Sequence, residues 1–281
     1  MLKLFLQTFG SIAPEWTAKR VYKMISKPRV RPVREHEIPI INSAQKTRIS
    51  FKGFELQLYQ WGVENYRSIF LIHGWEGRAS NFGSLVPILV EQGYRVISFD
   101  GPGHGESSKG STNMLEFSDF ITEMITKFRP NDLISHSFGS ITTLHALNRT
   151  PDVPISKWLI VTTTFDFNEW IEELKTQFGL PGKMVKKLVE LIERKVEFKS
   201  EQLNINYLGP RIEQVEQIKM IHSVDDQVIS IEDSRRASVP LKAEELVEVD
   251  GLGHYRILWS DELKDLIKVW FQEKRLDRSS K

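Results

Sequence analysis

Short runs rich in β-branched and aromatic residues alternate with longer helical patterns along most of this sequence. This alternation is typical of a mostly parallel sheet with helices on both faces. The runs at 69–72 and 158–161 are apolar throughout, as central strands covered on both faces should be. The chain is therefore predicted to form an α/β fold, with a mostly parallel central sheet flanked by helices on both faces and a short helical cap insertion.

The predicted strands and helices follow each other in chain order. The first two strands show alternating polarity and are expected to pair antiparallel at the edge of the sheet. The predicted strands are 47–51, 54–61, 68–73, 94–99, 132–135, 158–162, 218–222 and 246–249. The predicted helices are 82–92, 115–128, 140–147 and 261–274, the last of them capped by Ser260.

Two further segments lie outside this alternation. Residues 1–46 are predicted as an N-terminal helical arm and connector, and residues 47–281 as the α/β domain, with the cap insertion at about 166–210. Within the cap, 169–178 and 182–194 have the pattern of two amphipathic helices without a strand between them. Residues 1–26 are predicted to lie on the domain as an amphipathic helical arm, and contact with a membrane surface is the alternative use of their apolar stripe.

Composition excludes several classes of protein. The 281 residues include 38 basic and 37 acidic ones, a formal net charge of +1 that favours no nucleic-acid partner. There is no cysteine, which excludes disulfides, thiolate metal sites and a cysteine nucleophile. The apolar start is interrupted at Gln7 and Thr8 before it reaches the length of a signal-peptide core or membrane span, so a cytoplasmic protein without stable membrane insertion is expected.

Ser137 is placed as a nucleophile would be. It lies in Ser135-His136-Ser137-Phe138-Gly139, between a short apolar strand and a predicted helix. A sharp strand-to-helix turn lifts the serine clear of the sheet and aims the first free N–H groups of the helix at whatever its oxygen attacks. The usual elbow reads Gly-x-Ser-x-Gly, and Ser135 replaces the first glycine without an expected loss of the turn.

An oxyanion site is predicted beside this elbow. The turn His73-Gly74-Trp75 follows a predicted strand and can present the Trp75 N–H, which with the Phe138 N–H would make a two-donor hole. Such a site lies at the carboxyl ends of the strands, where ligands bind in open α/β sheets.

The base and its orienting acid are expected later in the chain. His254 lies in a glycine-containing loop after the last strand, from which an imidazole can reach the elbow. The segment after the strand at 218–222 supplies two neighbouring carboxylates, of which Asp226 is favoured over Asp225. Asp166, which follows an earlier strand, is the alternative acid. The order Ser137, Asp226, His254 is the one expected for Ser-His-Asp chemistry on this kind of fold.

The glycine-rich loop at 100–107 also contains an acid and a histidine, Asp100 and His104. A turn-stabilising aspartate and a loop-bracing histidine explain both, so no catalytic role is predicted for them. The spacing of His73, His104 and His136 along the chain does not resemble that of any known set of metal ligands, so no metal is expected.

These motifs together resemble the α/β-hydrolase superfamily, in its serine-hydrolase branch with a small helical cap. The resemblance covers about 68–270, and it rests on His-Gly-Trp at 73–75, the Asp-x-Pro-Gly-His-Gly-x-Ser loop at 100–107, His-Ser-Phe-Gly at 136–139, His-x-x-x-Asp at 222–226 and Gly-x-Gly-His at 251–254. It implies Asp226 rather than Asp225 as the acid. The sequence departs from the pattern at Ser135 and at Ser230, where proline is common.

The expected function is hydrolysis of small to medium carboxylic esters, without a cofactor, through an acyl-enzyme on Ser137. Thioesterase, acyltransferase or aminopeptidase chemistry on the same triad is the alternative, as is a ligand-binding or interaction protein without turnover. Phe165, Trp170 and Tyr255 are predicted to contact substrate, although the aromatic residues near 165–170 could instead join the cap to the core. The oligomeric state is left open.

Overall fold

The computed structural model describes residues 2–164, 166–196 and 199–272. The strands are β1 (Gln45–Phe51), β2 (Phe54–Trp61), β3 (Arg67–Ile72), β4 (Tyr94–Asp100), β5 (Asp132–His136), β6 (Ile155–Val161), β7 (Val215–Ser223) and β8 (Glu245–Val249). They form one eight-stranded sheet in the order β1-β2-β4-β3-β5-β6-β7-β8.

Strand direction agrees with the prediction from polarity. β1 pairs antiparallel with β2, and β2 pairs antiparallel with β4, whereas every pairing from β4 to β8 is parallel. The predicted fold class, a mostly parallel sheet with helices around it, is confirmed. The carboxyl ends of β3, β5, β7 and β8 therefore point to the same edge of the sheet.

The helices occupy both faces of the sheet and the chain before β1. They are α1 (Leu2–Ile12), α2 (Pro14–Ile25), α3 (Ile38–Ser43), α4 (Val86–Glu91), α5 (Met114–Phe128), α6 (Phe138–Leu147), α7 (Phe167–Phe178), α8 (Gly182–Val196), α9 (Ile205–Leu208), α10 (Ile231–Ser238), α11 (Gly253–Arg256) and α12 (Asp261–Trp270). Helices α7 to α9 lie between β6 and β7, within the predicted cap.

Several element boundaries differ from the predicted ones. The helix expected at 82–92 is a short 3₁₀ helix, Ala79–Phe82, followed by α4. Pro87 lies in the first turn of α4, where a missing N–H costs nothing, so the α-helix starts late. α12 ends at Trp270, earlier than the predicted residue 274, and residues 273 and 274 lie outside the described residues. β6 stops at Val161 because Thr162 has a positive φ of 60°.

Both faces of the central strands are buried. Along β3, Ile69 and Leu71 pack into one hydrophobic cluster, and the alternate residues Phe70 and Ile72 pack into a second one on the opposite face. Because side chains alternate across a strand, a strand buried on both faces must be apolar throughout. This is the physical origin of the uniformly apolar runs in the sequence.

A third hydrophobic cluster joins the N-terminal helices to the cap helices, and we call it the arm–cap cluster. Its buried members are Leu6, Ala18, Val21, Ile171, Leu180, Met184, Val185, Leu188, Ile192 and Leu203. The arm thus lies on the predicted cap, and its amphipathic pattern is satisfied by the apolar faces of α7 and α8. No helix among the described residues is long and apolar enough to cross a membrane.

We expect Leu188→Ala to destabilise the protein by about 2–5 kcal/mol, because Leu188 is 1% exposed in the arm–cap cluster and its loss leaves a cavity. Leu4→Ala is the matched control, since Leu4 is 69% exposed on α1. Its effect should stay within about 0.5 kcal/mol. Urea unfolding of both variants measures the difference, and equal free energies of unfolding would contradict burial of Leu188.

Candidate active site

Ser137 occupies a strained turn between β5 and α6. Its backbone has φ 56° and ψ −125°, a region that residues with a side chain rarely adopt. The Ser137 N–H donates to the carbonyl oxygens of Val161 and Thr162, at 3.1 and 3.0 Å. These bonds tie the strained residue to the end of the neighbouring strand, so the surrounding sheet holds the turn in place.

Gly139 permits close packing of the elbow against β3. A Cβ atom at this position would lie 2.6 Å from the carbonyl oxygens of both Ile72 and His73, where no side chain fits. The second glycine of the elbow motif is thus required by backbone contact.

Ser135, which replaces the first elbow glycine, is fully buried and makes side-chain hydrogen bonds. Its Oγ donates to Ser140 Oγ at 3.0 Å and accepts from Trp158 Nε1 at 2.9 Å. Ser140 Oγ donates in turn to the Thr162 carbonyl at 3.1 Å. The hydroxyl at position 135 therefore connects the elbow to β6, a role that the sequence analysis did not identify.

His254 lies next to Ser137 in the short helix α11. Its Nε2 is 3.1 Å from Ser137 Oγ, and its Nδ1 is 2.7 Å from Asp226 Oδ2. A carboxylate only accepts, so Nδ1 carries the proton and Nε2 is free to accept from the serine hydroxyl. Ser137 is 8% exposed, and His254 is also buried.

Asp226 is held by four donors after the end of β7. Its Oδ1 accepts from the backbone N–H groups of Val228 and Ile229, at 2.7 and 3.0 Å. Its Oδ2 accepts from His254 Nδ1 and from His222 Nε2, the latter at 3.3 Å. Burial acts to raise the pKa of Asp226, but the hydrogen bonds from His222 and His254 outweigh it and hold that pKa well below its ordinary value. The carboxyl is therefore ionised at neutral pH.

The tautomer of His222 follows from its neighbours. Its Nε2 faces two acceptors, Asp226 Oδ2 and the Ile229 carbonyl at 3.2 Å, and so carries the proton. Its Nδ1 then accepts from Ser234 Oγ at 2.8 Å. His222 thus adds a second histidine donor to the acid, and the His-x-x-x-Asp spacing is the sequence signal for it.

Asp225 lies beside the acid but faces a different group. Its Oδ1 accepts from the Gly253 N–H at 2.9 Å and from the Ser223 hydroxyl. Hydrogen bonds from Ser223 and Gly253 lower the pKa of Asp225. Asp225 therefore anchors the start of the loop that carries His254, a role absent from the sequence analysis, which weighed this residue only as an acid.

His136 holds the backbone of His254. Its Nε2 donates to the His254 carbonyl oxygen at 2.9 Å. His254 is thus positioned by the contact of its ring with Asp226 and by the hydrogen bond from the His136 ring to its backbone carbonyl.

Asp166, the alternative acid, lies elsewhere. Its carboxylate caps the N-terminus of α7 by accepting from the N–H groups of Asn168 and Glu169, at 2.6 and 3.3 Å. Helix capping accounts for this aspartate.

The turn after β3 passes directly over the elbow. A Cβ atom on Gly74 would lie 3.1 Å from Ser137 Cβ and from the His136 carbonyl oxygen. Glu76 has a positive φ of 58°, and Gly77 N donates to Gly74 O at 3.0 Å, which closes the turn around Trp75. Trp75, whose N–H is predicted to bind an oxyanion, is therefore held close to Ser137.

An ion pair holds this turn from outside. The Arg29 N–H and Nε both donate to Glu76 Oε1, at 3.2 and 2.7 Å, and an Arg31 nitrogen lies 3.7 Å from Glu76 Oε2. Burial acts to raise the pKa of Glu76, but the bonds from Arg29 outweigh it and lower that pKa. The proline-containing basic connector thus runs along the turn beside Ser137.

Asp100 is a brace of the neighbouring loop. It is buried and accepts from the N–H groups of Ala79 and Glu106, at 2.8 and 2.7 Å, and from the Tyr59 hydroxyl at 3.1 Å. Burial raises the pKa of Asp100. These contacts match the turn-stabilising interpretation of this residue.

The histidines of the two loops also brace them. His73 Nδ1 donates to Gly74 O at 2.7 Å while its Nε2 accepts from the Gly101 N–H at 3.0 Å, which joins the two turns. His104 Nδ1 donates to Pro102 O at 2.8 Å, and its ring packs edge-on against Trp75. Neither ring contacts Ser137, and within the described residues no group of acidic and histidine side chains is arranged to hold a metal ion.

The aromatic residues near Ser137 and those predicted to contact substrate lie in different places. Trp75 and Phe138 are half-buried, and their rings are 5.2 Å apart beside the elbow. Tyr255 is 49% exposed and packs edge-on against His254 at 4.8 Å. Trp170 contacts Phe167 and packs against the arm–cap cluster. Phe165 lies outside the described residues.

Acid is expected to destabilise the protein through two buried histidines of this region. Burial lowers the pKa of His104 to about 4 and that of His136 to about 3, against an ordinary value of 6.5. Below about pH 6.5 the unfolded chain binds protons at these positions while the folded protein does not. The free energy of unfolding should therefore fall as the pH falls toward 4, by about 1.4 kcal/mol per pH unit for each histidine.

Urea unfolding at several pH values between about 7 and 5 measures this slope. The variant His104→Asn should have a shallower pH dependence, reduced by the share of one histidine. Equal slopes for the variant and the parent protein would contradict a neutral buried His104.

Comparison with known proteins places these features in context. A serine hydrolase-like protein from Dictyostelium discoideum is 32% identical over 95 residues, which cover 31% of this chain and 26% of that protein. A bifunctional esterase/perhydrolase from Acinetobacter calcoaceticus is 22% identical over 114 residues, 39% of this chain and 41% of that protein. The chain spans less than half the length of these curated relatives.

The solved structure of an esterase from Pyrococcus furiosus superimposes on this chain with a TM-score of 0.61 at 15% identity. The superposition covers 88% of this chain and 97% of the esterase, and it shows a similarity in fold. A family model described as the alpha/beta hydrolase fold matches residues 67–257. The matched segment begins at β3 and ends after the loop that carries His254, so it includes Ser137, Asp226, His254 and the turn around Trp75, whereas Arg29, Arg31 and Tyr59 precede it. The chain belongs to the alpha/beta hydrolase fold family.

Proposed function

We propose that this protein is a serine hydrolase that cleaves small to medium carboxylic esters through an acyl-enzyme on Ser137. The single observation that carries the proposal is the continuous chain of contacts from Ser137 Oγ to His254 Nε2 at 3.1 Å and from His254 Nδ1 to Asp226 Oδ2 at 2.7 Å. The bifunctional esterase/perhydrolase, which aligns with 39% of this chain, is named for an esterase activity, and this also supports the proposal.

The proton follows these contacts. His254 Nε2 takes the proton of Ser137 Oγ as that oxygen attacks the ester carbonyl carbon, and the ionised Asp226 stabilises the imidazolium that forms. The protonated His254 then gives its proton to the leaving alcohol. Water, deprotonated by the same histidine, attacks the acyl-enzyme and returns Ser137 to its starting state.

The oxyanion of each tetrahedral intermediate would be stabilised by the N–H groups of Phe138 and Trp75. Phe138 is the first residue of α6, so its N–H has no acceptor within the helix. The Trp75 N–H lies in the turn that Gly74 allows to pass over Ser137. Removing one such donor typically costs about 10²- to 10³-fold in rate.

The proposed acyl group would lie against aromatic surface. Trp75 and Phe138 flank the elbow, and Tyr255 packs on His254. Their rings favour an apolar acyl or alcohol group over a charged one. Thioester and amide substrates would use the same groups, and a panel of ester, thioester and amide substrates orders the three reactions by kcat/KM.

We expect Ser137→Ala to abolish ester turnover while the protein stays folded, because the variant removes only the attacking oxygen. Intact-protein mass spectrometry after exposure to a fluorophosphonate should give one adduct on the parent protein, mapped to Ser137, and none on the variant. Ser111→Ala, at an exposed serine outside the elbow, is the matched control and should label and turn over as the parent does.

A parallel panel of p-nitrophenyl esters of increasing acyl length measures turnover and begins to size the acyl site. A parent protein that gives neither adduct nor turnover would contradict the proposal and favour a binding protein of the same fold.

Asp226→Asn and Asp225→Asn separate the acid from its neighbour. Asp226→Asn should lower kcat by about 10⁴-fold, because an amide can favour the wrong tautomer of His254. Asp225→Asn keeps an acceptor for the Gly253 N–H and should cost far less. The order would be reversed if Asp225 were the acid, and an inactive Asp166→Asn beside an active Asp226→Asn would assign the acid to the earlier strand.

A further inference from the structure

The outer face of α1 is uncharged and exposed. Leu4 is 69% exposed and Ile12 is 75% exposed, and the residues between them on the same face are the exposed Thr8 and Ser11. The one charged residue of the helix is Lys3. A surface helix of a globular protein normally shows charged residues on its solvent face, and a helix that is apolar all round is normally covered.

The described chain covers α1 on its other side. Leu6 is buried in the arm–cap cluster, and Gly10 lies so close to Pro181 that a Cβ atom there would be 2.9 Å from its ring. These contacts fix which face of α1 is turned outward. The apolar residues on the outer face are thus exposed because α1 packs on the cap through its other face, and not because the helix is unpacked.

Helix α2 extends the apolar surface. Phe9 of α1 and Trp16 of α2 are both more than two-fifths exposed, and their rings lie 6.2 Å apart. The guanidinium of Arg20 lies 4.9 Å from the Trp16 ring centre. An aromatic ring with a cation over it is a pairing typical of the interface between water and lipid. We call this surface, formed by Leu4, Phe9, Ile12 and Trp16, the apolar arm face.

The helices around this face are basic. Residues 2–26 contain four basic residues and one acidic one, and α8, which packs on α2, contains five basic residues and two acidic ones. The whole chain is nearly neutral, so the rest of it carries net negative charge. The pKa of Glu15 on α2 is lowered by its hydrogen bond with Lys19 and by the positive charges of Lys19, Lys187 and Arg194. The basic part of α8 therefore lies beside α2.

Several of these cations form no ion pair in the described part of the chain. Among the residues that the structure describes, no ion pair is formed by Lys3, Lys23, Lys183, Lys186 or Lys195, all of which are exposed. Their charge is therefore available to a ligand outside the chain.

We propose that the apolar arm face, with the basic residues of α2 and α8 around it, docks the protein on an anionic phospholipid surface. Exposed aliphatic and aromatic side chains enter the boundary between headgroups and acyl chains, and the lysines face the lipid phosphates. The docking is peripheral and concerns a different part of the molecule from Ser137, so it does not depend on the proposed esterase.

Charge selects this occupant over a second copy of the chain. A symmetric dimer through the same face would bring two basic surfaces together, which opposes association. Nucleic acid would satisfy the lysines and leave Leu4 and Ile12 in water. An anionic bilayer surface satisfies both groups.

The absence of cysteine from the chain allows a direct test with one label. The variant Ile12→Cys carries an environment-sensitive NBD fluorophore, and Val239→Cys, at a valine that is 77% exposed far along the chain, carries the control label. Vesicles of equal parts phosphatidylcholine and phosphatidylglycerol should shift the emission of the label at 12 to the blue and leave the label at 239 unchanged. Vesicles of phosphatidylcholine alone should give a much weaker response.

Co-sedimentation with the same vesicles tests the two parts of the surface. Leu4→Gln with Ile12→Gln should weaken binding by about tenfold or more, and Lys183→Gln with Lys186→Gln should do the same for the anionic vesicles only. The matched controls are Val239→Gln with Val269→Gln, and Lys127→Gln with Lys242→Gln, all at exposed positions. Ser137→Ala should bind as the parent does, which separates this result from that of the catalytic proposal.

Three outcomes would overturn the proposal. The label at 12 would show no response to anionic vesicles, or the control variants would weaken binding as much as the arm variants. In the third outcome, the emission of the label at 12 would change with protein concentration in the absence of vesicles. Sedimentation velocity would then show a dimer that the double variant Leu4→Gln with Ile12→Gln abolishes. The face would in that case be an interface between copies of the chain.

Discussion

The positive φ of Ser137 is the constraint on which the arrangement of the site depends. A residue with a side chain resists this conformation by about 1–3 kcal/mol, so the neighbouring structure must hold it. The carbonyl groups at the end of β6 accept the Ser137 N–H, and Gly139 lets the first turn of α6 lie against the backbone of β3. Three parallel strands thus cooperate to hold one hydroxyl at the edge of the sheet.

His254, the proposed base, is positioned differently, through its loop. His254 follows β8, and the glycines before it supply no packing of their own. Asp225 binds the Gly253 N–H, His136 binds the His254 carbonyl, and Asp226 binds the imidazole. The main chain on both sides of the base is therefore fixed by side chains from β5 and from the loop after β7. The two adjacent aspartates have different roles, since Asp226 holds the imidazole ring of His254 and Asp225 holds the loop at Gly253.

Much of this could be predicted from residue patterns alone. Apolar runs buried on both faces predicted the parallel sheet, and motifs at strand ends predicted which residues meet, because the carboxyl ends of parallel strands share an edge. Other features depend on contacts between distant segments. The bond between Ser135 and Trp158 joins residues of different strands, and the pairing of Arg29 with Glu76 brings the connector to the turn beside Ser137. No local pattern carries such information. The late start of α4 could have been foreseen, since Pro87 marks it.

The arm–cap cluster has a consequence for the order of folding. Val21 and Leu188 share one small core although most of the chain separates them, and the loop that they close includes four of the parallel strands, β3 to β6. Contacts of such long sequence separation form late, after shorter loops have closed. The apolar faces of α7 and α8 thus stay without their partner until the sheet has assembled. During synthesis α1 and α2 leave the ribosome before α7 and α8, yet they would be among the last helices to pack, and their apolar faces would stay without a partner in the meantime.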